Sequence, residues 1–117
     1  MAAFRFIHMA VPPPVLGFSN PRFHTGRNTS VRRGDRWHGV PLACIALPEG
    51  GVSAPCPLQT ELRRFDSLTD ADLRDEHDPA CRTPAGLLKV LQQIYPGFQP
   101  DEEVTLVHFN RPATESK

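Results

Sequence analysis

Three cysteines and a dense run of acids around one histidine are the residues of this chain that could do chemistry. Cys44, Cys56 and Cys81 form an odd set at irregular spacing, which is not a disulfide framework. Free thiols in a reducing compartment are the plainer reading. Cys81 stands beside Arg82 and just ahead of a helix expected to open at Pro84, two features that lower a thiol pKa. His77 or His108 could then serve as a base, with Asp78 to orient it. Nothing in the sequence positions these groups, so no catalytic residue is assigned and the chain is expected not to be an enzyme. Cys56, His77 and Cys81 are also metal-ligand types, and His108 would complete a set of four if the fold brought it there. The paired Cys-x-x-Cys knuckle of a closed zinc site is absent, and no stoichiometric zinc is expected. Asp70-Ala71-Asp72 begins like a calcium loop, but its sixth position is Asp75 where glycine is required, and its twelfth is Cys81 where glutamate is required. The acids from Asp70 to Asp78 therefore read as a solvated face. No cofactor is implied. Asn28-Thr29-Ser30 fits a glycosylation acceptor pattern that is common by chance.

The elements that would carry these residues divide unequally along the chain. In 117 residues, 13 basic and 13 acidic side chains cancel. Residues 1–56 hold six arginines against Asp35 and Glu49, a net of +4, and residues 57–117 hold the balancing −4. No acid precedes Asp35, and Pro12, Pro13, Pro14 and Pro21 interrupt any continuous helix or central strand. Arginine excess with almost no acid is the composition of organelle transit peptides. Residues 1–56 are accordingly expected to be a transit peptide or a disordered basic tail, with a chloroplast favoured over a mitochondrion and a cytoplasmic location as the alternative. Val40-Pro41-Leu42-Ala43-Cys44 is a candidate processing site, and Ser53–Cys56 a second. Arg32, Arg33 and Arg36 beside Trp37 would be the contact for nucleic acid, a partner class that is not expected here. No apolar run approaches the roughly 18 residues that span a membrane, so the protein is expected to be soluble.

Residues 57–117 are expected to form a small domain. Leu58, Leu62 and Phe65 fall on one face of a short helix. Thr69 and Asp72 have capping-box spacing, with Leu68 and Leu73 placed as a hydrophobic staple; that helix should stop before Pro79. The clearest element is a helix over 84–95. Thr83 caps it, Pro84 opens it, Leu87, Leu88, Leu91, Ile94 and Tyr95 form one apolar stripe, and Pro96-Gly97 ends it. Glu103–Phe109 reads as a strand with apolar groups on both faces. Its only candidate partners upstream are Val40–Leu47, broken by Pro41, and Phe4–Met9.

The fold class expected is therefore α+β: a disordered N-terminal half, then two or three short helices and one C-terminal strand. A strand without a convincing partner in so small a body suggests completion by another protein. The function expected is that of an organelle-imported accessory subunit or assembly factor acting by protein–protein binding. The partner-binding residues would be Leu87, Leu91, Ile94, Val107 and Phe109. The alternative is a small thiol-redox or metal-binding protein using Cys56, Cys81 and His77.

Overall fold

The computed structural model describes residues 12–112. Among these residues the architecture is two three-stranded sheets and a single helix, which overturns the expected disordered half followed by helices. The strands are β1 (Val15–Leu16), β2 (Arg27–Arg33), β3 (Leu42–Ala46), β4 (Val52–Pro57), β5 (Gln59–Arg64) and β6 (Glu103–Asn110), and the helix α1 is Pro84–Ile94. One sheet has the order β1-β3-β4 and the other β2-β6-β5. Leu58 alone separates β4 from β5, so the chain crosses from one sheet to the other at that residue.

β6 is the centre of the larger sheet. It pairs antiparallel with β2 from Arg27↔Asn110 to Arg33↔Val104 and with β5 from Gln59↔His108 to Arg64↔Glu103. The partner that the sequence does not advertise is β2. Its interior positions Asn28, Thr29 and Ser30 are polar and buried, so no apolar alternation marks it. Each is satisfied internally. Asn28 donates to the carbonyls of His24 (2.9 Å) and Gly26 (3.1 Å), Thr29 bonds the His108 ring (2.8 Å), and Ser30 accepts from Arg32 Nε (2.8 Å). Gly26 and Gly34, at φ +85° and +76°, bracket β2 with left-handed turns. The other candidate partner, Val40–Leu47, lies instead in the small sheet between β1 and β4, and Phe4–Met9 lies outside the described residues.

Burial on both faces of β6 divides the core in two. Val104 and Leu106 pack with Val31, Phe65, Leu68, Leu73, Leu87, Leu91 and Phe98 beneath α1. Val107 and Phe109 face the small sheet and pack with Leu16, Ala43, Ile45 and Leu58. Leu58 and Phe65 thus serve opposite cores, which a helical stripe could not do. A helix of barely two turns is marginal alone, whereas β5 gains a full ladder with β6. The capping box at 69–72 forms, with Thr69 N–H donating to Asp72 Oδ2 (2.9 Å) and Asp72 N–H to Thr69 Oγ1 (3.4 Å). Leu68 and Leu73 are both buried in the core under α1. Successive turns follow it in place of a helix, because the chain at 75–77 is drawn along the edge of β2. α1 forms over Pro84–Ile94, with the Thr83 hydroxyl accepting from Gly86 N–H at 3.1 Å. No helix among the described residues is long and apolar enough to cross a membrane.

Candidate binding cleft at the edge of strand β2

Edge strands leave a row of backbone groups unpaired unless something covers them. On β2 the outward-facing residues are Thr29, Val31 and Arg33. At Thr29 the edge is covered: Thr29 N–H donates to the Asp75 carbonyl (2.8 Å) and His77 N–H donates to the Thr29 carbonyl (3.0 Å). This is one rung of parallel pairing, centred on Glu76. A second rung would need an N–H from residue 79 to reach the Val31 carbonyl, and residue 79 is proline. The backbone therefore turns away, and the Glu76 side chain takes over. Its Oε2 accepts from Val31 N–H at 3.3 Å and its Oε1 from Asp78 N–H at 2.9 Å. Among the described residues, the Val31 carbonyl and the Arg33 N–H have no hydrogen-bond partner.

Beside this open stretch lies a cleft of ≈ 190 Å³. Val90, Leu91 and Ile94 of α1, with Tyr95 just after it, form one wall. Ser30, Val31 and Arg32 form the opposite wall, Glu76, His77, Asp78 and Cys81 close one end, and Gly17–Ser19 border the rim. Ile94 is 47% exposed. A volume of this size falls short of the roughly 300–1,000 Å³ of small-molecule pockets; it suits individual side chains. The Arg32 guanidinium lies 4.8 Å over the Phe18 ring and donates to the Gly17 carbonyl at 2.6 Å.

Burial dominates the electrostatics of the closed end. Glu76 is 2% exposed, and removal from water raises its carboxyl from an ordinary 4.5 to about 7, against the two backbone N–H bonds that favour ionisation. Burial holds the neighbouring His77 below its usual range. His77 Nδ1 bonds the Arg22 carbonyl at 3.1 Å, and since a carbonyl only accepts, Nδ1 carries the proton. The bare Nε2 then faces Glu76 Oε1 at 3.7 Å, too long for a hydrogen bond. The contact is not an ion pair at neutral pH, since burial works against both charges. Burial likewise pushes the Cys81 thiol up to about 12, so Arg82 and the helix start do not make it a nucleophile.

The thiols and histidines singled out in the sequence are only partly brought together. His77 and Cys81 line the same cleft. Cys56 packs against the core between the sheets, and all three cysteines are free thiols. No cluster of potential metal ligands occurs among the described residues. His108 is elsewhere, in a chain the sequence did not suggest. Its Nε2 bonds Glu61 Oε2 (2.9 Å) and its Nδ1 bonds the Thr29 hydroxyl (2.8 Å). The carboxylate fixes the proton on Nε2, so the hydroxyl donates to Nδ1. The order hydroxyl, imidazole, carboxylate is that of a catalytic triad, but Thr29 is 1% exposed. Its oxygen has no access for a substrate, and the three side chains form a polar ladder across β2, β6 and β5.

The five expected partner-binding residues separate as well. Leu87, Leu91, Val107 and Phe109 are 3% exposed or less, within the two cores, and Ile94 alone is exposed. Of the basic patch, Arg33 is held by Glu102 through two hydrogen bonds (2.7 and 3.1 Å), and Trp37 packs on the core between the sheets. What the sequence reading missed is the cleft itself, whose strand wall is the polar β2. No protein-family model, curated protein or solved structure matches this chain.

Proposed function

We propose that the chain acts by binding another protein, as a small accessory subunit or assembly factor that receives an extended segment in the cleft between β2 and α1. The observation that carries this reading is that the Val31 carbonyl and Arg33 N–H have no hydrogen-bond partner among the described residues and lie beside an apolar helix wall. Strand addition supplies affinity through backbone hydrogen bonds and specificity through side-chain pockets. The other edge of the sheet is a poorer candidate, since β5 carries Glu61, Arg63 and Arg64, charges of the kind that blunt strand edges.

The test is selection of peptides from a random library on the purified full chain. Selected peptides should slow exchange of the Arg33 amide and should bind Ile94→Asp on the order of tenfold more weakly, the loss of one central anchor. Far-UV circular dichroism of that variant should match the parent, because Ile94 is exposed. Peptides that leave Arg33 exchange unchanged, or bind the variant equally well, would overturn the proposal.

Import into an organelle, with a plastid favoured, is supported by the acid-poor, arginine-rich composition of residues 1–34. Cleavage within Val40–Cys44 or Ser53–Cys56 would detach β2 from β6, so on this reading those residues stay on the mature protein. A fluorescent fusion to residues 1–56 should enter an organelle; diffuse cytosolic fluorescence would reject import.

A further inference from the structure

We infer that the segment received by this cleft carries an aspartate or glutamate opposite Arg32, next to an apolar residue that meets Ile94 and Tyr95. This rests on the strand-addition reading above and adds the chemistry of the partner.

Arg32 is set apart from the other arginines of the two sheets. Arg27, Arg33, Arg63 and Arg64 each have a carboxylate within 4.0 Å, from Asp75, Glu102, Asp72 and Asp66 respectively. Arg32 has none among the described residues, although it lines the cleft with Glu76 and Asp78. Glu76 is turned to the N–H groups of Val31 and Asp78, and Asp78 accepts from the Ala80 N–H. The guanidinium has neutral neighbours instead: the Ser30 hydroxyl, the Gly17 carbonyl and the Phe18 ring. Those bonds use one N–H on Nε and one on Nη2. Nη1 has no hydrogen-bond partner among the described residues and is within reach of solvent. Burial disfavours this charge, yet an arginine keeps its proton. A cation partly removed from water, with donors left over and no anion beside it, gains more from a carboxylate than an exposed arginine does. A carboxylate fits because its oxygens accept a pair of guanidinium N–H bonds side by side.

The sheet places such a carboxylate whichever way the segment runs. The Arg33 N–H and carbonyl both face outward and lack partners among the described residues. Together they serve an antiparallel residue, and the N–H with the Val31 carbonyl serves a parallel one. In either case the residue opposite Arg32 projects on the face that carries the Arg32 side chain, toward Gly17 and Phe18. The residue opposite Arg33 projects on the other face, where Tyr95 lies under the Arg33 guanidinium and Ile94 lines the cleft. The recognised feature is therefore an acid beside a large apolar residue, in either order.

The experiment uses peptides selected from the random library on the purified full chain. They should be enriched in an acidic residue adjacent to a large apolar one, and changing that acid to its amide should weaken binding on the order of tenfold. Against Arg32→Gln the acid and amide peptides should bind alike. Should that variant be too unstable to use, the Arg32 Nε–H signal of the parent serves instead: it should move more with the acidic peptide than with its amide counterpart. Amidation of the peptide's own carboxyl terminus should change neither result. Peptides that protect the Arg33 amide but lack the acid, or bind equally well as the amide, would overturn this inference and leave strand addition intact. So would an acid whose effect persists in Arg32→Gln, or affinity lost on terminal amidation, which would mean that the peptide's end supplies the carboxylate. Peptides that leave exchange of the Arg33 amide unchanged, or a library that yields none, would overturn the strand-addition reading and this inference together.

Discussion

Glu76 accepts two backbone hydrogen bonds in the interior, yet its carboxyl is raised to about 7 because water is excluded. The folded chain therefore holds this proton more tightly than the unfolded chain does. The contribution to stability is complete below the ordinary carboxyl value of 4.5 and is lost as pH rises through about 7, a swing on the order of 3 kcal/mol. His77 and His108 act in the opposite sense. Burial lowers both, so they weaken the fold as pH falls below their usual 6.5. Comparison with Glu76→Gln isolates the carboxyl. The amide cannot accept both N–H bonds, so at about pH 5 the parent should be the more stable by roughly 1–3 kcal/mol. By about pH 8 that gap should close or invert as the buried carboxylate ionises. Urea midpoints at the two pH values measure it, and a constant gap would show that Glu76 is not buried as described. At the same scale, iodoacetamide near neutral pH should label Cys44 and Cys56 well before Cys81, whose thiol is pushed up to about 12. Peptide mapping reads the order.

Among the elements, α1 was the most legible, because cap, proline, apolar stripe and stop all point the same way. The two-faced apolar pattern of β6 was legible too. β2 was not, since burial by internally bonded polar side chains leaves no periodic signal; only its bracketing Gly26 and Gly34 hint at it. β5 was misread because Leu58, Leu62 and Phe65 fit a helical spacing while facing different cores. The cleft could not be read from sequence, since one of its walls is β2. α1 also contains a tight contact that the propensity scale would misjudge. A β-carbon at Gly86 would lie 2.1 Å from the Ala80 carbonyl oxygen, on the turn Pro79–Cys81. Gly86→Ala should improve helix propensity by about 1 kcal/mol and yet destabilise the protein, because overpacking of this kind costs roughly 1–3 kcal/mol. A thermal midpoint above the parent's would contradict that packing. Leu91→Ala, which empties a 3%-exposed site, should cost about 2–5 kcal/mol by chemical denaturation.

For the whole molecule, the charge asymmetry between residues 1–56 and 57–117 has no counterpart in the architecture. β2 belongs to the first stretch and forms one side of the sheet whose centre, β6, belongs to the second. The core between the sheets likewise draws Leu16, Ala43 and Ile45 from the first and Leu58, Val107 and Phe109 from the second. A chain shortened to residues 57–117 should therefore not fold. Its amide proton spectrum should be narrowly dispersed, and well-dispersed strand signals would show that β5, β6 and α1 suffice.

The central position of β6 also sets an order of events during synthesis. β2 and β5 leave the ribosome before it, and neither bonds the other; each waits for β6 to fill the gap between them. Until then two strands with unsatisfied backbone groups, one of them rich in buried polar side chains, stand exposed in the growing chain. Pairings this distant in sequence form slowly, and unpaired strands are open to wrong partners while they wait. The nascent protein is thus most in need of a chaperone in the interval between emergence of β5 and emergence of β6.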